Sequence, residues 1–109
     1  MATFRDLFRE GRQLQASKNF EGAIEKLREA SELEEKTSTS LQALAQCYTE
    51  LGRHQDAIDA AKKAVEKEPD DQFSYISLSR AYQRGGFIPE AEYAMAQGQQ
   101  AAWRAKQTS

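Results

Sequence analysis

Apolar residues recur along this chain at steps of three and four. Leu7 and Leu14 begin the pattern; Ala23, Ile24, Leu27 and Ala30 continue it, followed by Leu41, Leu44, Ala45 and Tyr48. Further on come Ala57, Ile58, Ala61, Ala64 and Val65, then Tyr75, Leu78 and Tyr82. Such spacing puts each set on one face of a helix. No alternating, β-branched run of useful length appears, so strands are not expected. The breaks fall at "SKNF" (17–20), "KTSTS" (36–40), "LGRH" (51–54), "EPDD" (68–71) and "RGGFIP" (84–89), where Gly, Asn, Pro and Ser supply turn chemistry. Pro69 lacks the donor a helix interior needs and ends a helix, whereas Pro89 suits the first turn of the next. The pattern predicts six helices of about a dozen residues joined by short turns.

The segments "FEGAIEKLREA" (20–30), "HQDAIDAAKKA" (54–64) and "IPEAEYAMAQG" (88–98) share a register, with Ala23, Ala57 and Ala91 spaced by 34 residues. The register extends upstream without a gap. Leu7, Leu41 and Tyr75 align, then Gly11, Ala45 and Ser79, then Leu14, Tyr48 and Tyr82, and Lys18, Gly52 and Gly86 meet at the turn. Downstream, Ala30 and Ala64 align with Gly98. Small residues in phase allow two helices to cross closely, and larger ones in phase fill the gaps between neighbours.

This 34-residue unit resembles the tetratricopeptide repeat, a helix-turn-helix with a Trp/Leu/Gly/Tyr first helix and an Ala/Phe/Pro second helix. The second copy matches best, through Leu41, Leu44, Ala45, Tyr48, Gly52, Ala57, Ala64 and Pro69. Departures are Glu10 in place of Leu, Glu35 in place of the closing Pro, Gly98 in place of Ala, and Phe87 one residue early. The resemblance implies an all-α fold, a right-handed superhelical solenoid of three antiparallel helix-turn-helix units with six helices. It divides a single domain, 1–109, into repeats at about 4–37, 38–71 and 72–105 with a short polar tail at 106–109. Stacked pairs of this kind present a concave surface lined by the first helix of each.

Composition narrows the chemistry. The net charge of −2 and pI near 5.5 argue against nucleic acid. No apolar run approaches the roughly 20 residues that span a bilayer, and "MATFRDLFRE" lacks the apolar core of a signal peptide. The single cysteine, Cys47, permits no internal disulfide, and a cytoplasmic setting is expected. One His and one Cys do not make a zinc site, so no metal or cofactor is expected.

Nothing in the sequence supports an enzyme. Gly85–Gly86 reads as a turn, Cys47 as a buried packing thiol, and His54, aligned with Phe20, as a ring packed at the turn. Glu32, Glu34, Glu35, Asp70 and Asp71 read as solvated helix ends and loops.

Peptide partners of similar proteins lie on the concave face. By alignment its first copy holds Arg5, Phe8, Arg9, Arg12 and Gln15, and its second Thr39, Gln42, Ala43, Gln46 and Thr49 with Glu50 at the edge. The third holds Phe73, Ile76, Ser77, Arg80, Gln83 and Arg84. Five of the chain's eight arginines fall there with one acid, although the protein is acidic overall. Guanidinium forks match carboxylates bidentately, so an acidic peptide with apolar anchors is the expected partner. The competing reading is a solvated face balanced by Asp6 and Glu10.

The subset of the family that grips heat-shock chaperone tails uses Lys, Asn, Asn, Lys and Arg. Here those positions hold Phe8, Arg12, Ala43, Phe73 and Ser77, so that activity is not expected. The last helix, rich in Ala and Gln, carries Tyr93, Met95 and Trp103. Trp103 folded back onto the array is the expectation, with self-association through Tyr93 and Trp103 as the competitor. The function expected is a protein-interaction module or small adaptor; the alternatives are a fragment of a larger scaffold and a non-catalytic regulatory subunit.

Overall fold

Three of the helix starts are fixed by short polar side chains. In a computed structural model describing residues 2–108, the Thr3 hydroxyl accepts from the Asp6 backbone N–H at 3.2 Å, and the Asp6 carboxylate answers the Thr3 N–H. Asn19 accepts from the Gly22 N–H and Asp71 from the Phe73 N–H, both at 3.1 Å. Each satisfies a donor that the first helical turn leaves open. The helices are α1 (Phe4–Ala16), α2 (Phe20–Leu33), α3 (Thr39–Glu50), α4 (His54–Lys67), α5 (Gln72–Arg84) and α6 (Ile88–Gln107). There is no strand among the described residues. Six helices and no sheet are what the apolar spacing predicts. α6 continues through Lys106 and Gln107, into the expected polar tail, and Ser109 lies outside the described residues.

The helices pair as three hairpins, α1–α2, α3–α4 and α5–α6, and each first helix also packs on the preceding second helix. All three hairpin turns are built alike. The N–H of Lys18, Gly52 and Gly86 reaches the carbonyl of Gln15, Thr49 and Gln83, and the next N–H reaches Leu14, Tyr48 and Tyr82. This is the Schellman arrangement, and it requires left-handed backbone at the first of the two residues. Lys18 has φ 66°, Gly52 φ 74° and Gly86 φ 88°. The lysine bears a strain the glycines do not.

The small residues stand at the crossings. A Cβ on Gly11 would lie 2.7 Å from Leu27 Cγ, and the Ser79 hydroxyl donates to the Ala91 carbonyl at 2.8 Å across the α5–α6 contact. Ala23, Ala57 and Ala91 are buried, as are Leu27, Leu44, Cys47 and Tyr48, in a core running from α2 through α6. Glu10, the departure from the Leu of the family, is exposed and pairs with Lys26 at 3.4 Å.

Two sequence expectations are corrected. Glu34 is not solvated: it is 7% exposed, and its carboxylate accepts from the Ser40 N–H at 3.0 Å and the Thr37 hydroxyl at 2.6 Å. It thereby caps α3, while Lys67 donates to its backbone carbonyl. Trp103 does not fold back: it is 64% exposed. Its neighbour Arg104 ties α6 to the α4–α5 connection instead, donating to Asp70 at 3.1 Å and to the Pro69 carbonyl at 3.2 Å. Ala101 is buried on the side of α6 that packs on the array, and Trp103, two residues on, stands about 200° around the helix from it and faces away. Asp71 lies at a helix end as expected, where it serves as the α5 cap, and Glu32, Glu35 and Asp70 are exposed as expected.

Candidate functional site

α3 lies between α1 and α5, touching both, so the three first helices form one face. Near their C-terminal ends they enclose a cavity of about 510 Å³. Its lining includes Gln15 from α1, Gln46, Thr49 and Glu50 from α3, and Ser77, Arg80 and Arg84 from α5. Lys18 and Phe20, at the α1–α2 turn, close one side.

Gln15 and Gln46 of the lining are fixed to each other and, through Gln15, to Arg12 just outside it. Arg12 donates to the Gln15 side-chain oxygen at 2.9 Å, and the Gln15 amide donates to Gln46 at 3.0 Å. This chain joins α1 to α3 and orients both amides. Arg80, Arg84 and Lys18 behave differently. All three are exposed, and none makes a side-chain hydrogen bond or ion pair among the described residues. Three cations therefore face one cavity with Glu50 as the acid among its lining residues. The cluster favours negatively charged groups in the space between them.

The other arginines are mostly engaged. Arg9 pairs with Asp6 at 3.2 Å, Arg53 with Asp56 at 2.8 Å and Arg104 with Asp70 at 3.1 Å, while Arg28 donates to the Tyr48 hydroxyl at 2.8 Å. Arg5 is exposed on α1 without a side-chain partner among the described residues. Asp6 thus balances Arg9, as the solvated-face reading requires. Glu10 does not balance the groove, because it turns to Lys26.

Toward the N-terminal ends of the same helices the surface becomes apolar. Phe73 is 66% exposed, Ile76 is half-buried, and half-buried Phe8 stacks on Phe4 with ring centroids 5.6 Å apart. Gln42 is committed to structure: its amide donates to the Ser38 hydroxyl at 2.9 Å. Ser38 in turn donates to Glu68 through its N–H at 2.6 Å and its hydroxyl at 2.9 Å. Among the residues proposed from sequence, Gln46, Arg80 and Arg84 therefore share the cavity, together with Gln15, Thr49, Glu50 and Ser77 of the same predicted face. Arg5, Phe8, Arg9, Arg12, Gln42, Phe73 and Ile76 lie outside its lining. Sequence reasoning placed Lys18 in the turn and missed it as a wall of the cavity. The available signal was that Lys18 is the one non-glycine of the three aligned turn residues.

A second depression, of about 540 Å³, lies between α2 and α4 over Leu44 and Tyr48. Its Arg28 and Lys63 are matched by Glu32, Asp56 and Asp59, so it lacks the positive excess of the first. Cys47 is fully buried, and burial pushes its thiol from an ordinary 9.0 up to about 11. A neutral, enclosed thiol is a poor nucleophile. The His54 Nδ1 is buried without a hydrogen-bond partner among the described residues. No group of three or more His, Cys, Asp or Glu residues suited to a metal ion occurs among the described residues. No helix among them is long and apolar enough to cross a membrane.

A family profile described as tetratricopeptide repeat matches residues 5–67. Among solved structures, the crystal structure of MamA superposes with a TM-score of 0.84 at 21% identity, covering 96% of this chain and 61% of that one. The Sgt2 TPR domain from Aspergillus fumigatus superposes with a TM-score of 0.83 at 23% identity, covering 90% and 65%. The chain thus spans about three fifths of the length of these structures, and at such identities the likeness is one of fold. No curated protein matches in sequence.

Proposed function

The chain belongs to the tetratricopeptide-repeat family, and from that footing we propose that its concave face receives an acidic segment of a partner protein. Domains of this family are in general non-catalytic protein-interaction modules. The observation that carries the acidic preference is the cavity in which Arg80 and Arg84 stand without ion-pair partners. Arg5 and Arg12 extend the positive face along α1, beside Arg9, whose charge Asp6 balances, and the fixed amide of Gln46 offers a hydrogen-bonding group between them and α5. Phe8, Phe73 and Ile76 supply apolar contacts at the far end, with Gln42 as part of the wall. In this reading the chain is an adaptor of repeats 4–37, 38–71 and 72–105 that works in the cytoplasm.

Exposed cations act through a screened field, so binding should depend on salt. The test uses a fluorescein-labelled peptide rich in glutamate with one phenylalanine. Its affinity should fall at least tenfold between 50 and 500 mM salt, and a further tenfold in the Arg80→Glu/Arg84→Glu protein. Equal binding in all these conditions overturns the proposal.

A second reading, association of two copies through α6, is favoured by the exposure of Tyr93 (68%) and Trp103 (64%). A monomer mass independent of concentration, with Trp103 fluorescence insensitive to dilution, would reject it.

A further inference from the structure

Lys18 is the odd member of three otherwise identical turns. Gly52 and Gly86 adopt left-handed backbone freely, whereas Lys18 holds φ 66° with a side chain attached. Strain kept at one of three equivalent positions calls for a compensating role. The side chain offers one, because it walls the cavity that Arg80 and Arg84 also line. None of these three cations has a side-chain partner among the described residues.

We infer that Lys18 determines specificity in the groove: with Arg80 and Arg84 it anchors a pair of adjacent acidic residues, while Phe73 holds an apolar one. The inference rests on the acidic-segment reading above. Lys18, Arg80 and Arg84 against Glu50 leave two positive charges in excess, which two carboxylates match. The register follows from α5. Phe73 and Arg84 are eleven residues apart on that helix, so they stand about 16 Å apart along its axis. An extended chain covers that distance in about five residues. The recognised segment therefore carries its acidic pair about five residues from its apolar residue.

Three labelled peptides test this: one with a Glu-Glu pair five residues from a phenylalanine, one with the same residues two apart, and one lacking the pair. The first should bind wild-type protein best. Lys18→Gly should weaken its binding about tenfold while raising the melting temperature by a few degrees, since glycine relieves the turn. Lys18→Arg should keep the affinity. Unchanged binding in Lys18→Gly alongside loss in Arg80→Glu/Arg84→Glu overturns the role of Lys18 and leaves the groove reading standing. Weaker binding with a lowered melting temperature marks Lys18 as structural only and overturns it too. Equal binding of the two spacings overturns the register, and no binding of any peptide to wild type overturns the groove reading as well.

Discussion

Tyr75 and Gly98 are fitted to each other: a Cβ on Gly98 would lie 2.9 Å from the Tyr75 Cβ. The aligned pairs in the other repeats are Leu7 with Ala30 and Leu41 with Ala64. The third repeat has a larger residue on α5 and a smaller one on α6. The missing methyl on α6 thus makes room for the Tyr75 Cβ, while the first ring atom stands at an ordinary 3.7 Å and the Tyr75 hydroxyl donates to the Pro69 carbonyl at 2.7 Å.

Gly98→Ala should destabilise the protein by about 1 kcal/mol, even though alanine favours a helix interior by a similar amount. In a Tyr75→Gly background, which removes the opposing Cβ, the same change should become stabilising. Urea denaturation of the four proteins in the cycle measures the coupling. An additive pair would show that the two residues do not compete for space.

Replacing Glu34 by alanine removes a buried acceptor and leaves the Ser40 N–H without its partner. The expected loss is about 1–2 kcal/mol. Glu34→Gln keeps one oxygen acceptor and should lose less. Thermal unfolding of the two variants checks the order.

The thiol of Cys47 has its folded value raised from 9.0 to about 11. The folded state therefore holds this proton to higher pH than the unfolded chain. Its contribution to stability is fully present below pH 9.0 and is lost as pH rises through about 11. Wild type should lose stability over that window more steeply than Cys47→Ala, as read by urea midpoints at stepped pH. At neutral pH, labelling by a thiol reagent should require opening of the fold and accelerate with denaturant.

The backbone of α6 approaches α5 and no other helix, whereas α3 touches four neighbours. Glu92, Met95 and Gln99 are exposed on α6, while the aligned Ile58 and Ala61 of α4 are buried and Val65 is half-buried. Amide hydrogen exchange should be fastest among the helices in the second half of α6 and slowest in α3. Uniform protection across all six would contradict this ordering.

The scaffold was legible because its signal is redundant. Ala23, Ala57 and Ala91 repeat the same constraint three times, and each crossing admits only small residues. The polar junctions are harder to read. Glu34 and Glu68 are themselves 34 residues apart, but the spacing does not tell their partners: Glu34 takes the Ser40 N–H at the end of its own connection, whereas Glu68 reaches back to the Ser38 N–H of the preceding one. Lys18 was legible as a turn residue but not as part of a cavity, since its cation partners lie on a helix more than fifty residues away. The outward orientation of Trp103 follows from the helical period, since Ala91, Ala94, Gly98 and Ala101 mark the buried face of α6 and Trp103 lies off it.

The three hairpin turns leave no spare residue. Asn19, Arg53 and Phe87 each close the Schellman turn of one helix and stand as the N-cap of the next. One added residue there would rotate the second helix by about 100° and swing its alanine stripe off the crossing. Length variation among relatives of this chain should therefore collect in the connections at 34–38 and 68–71. The hairpin turns should keep their residue count even where their sequences drift.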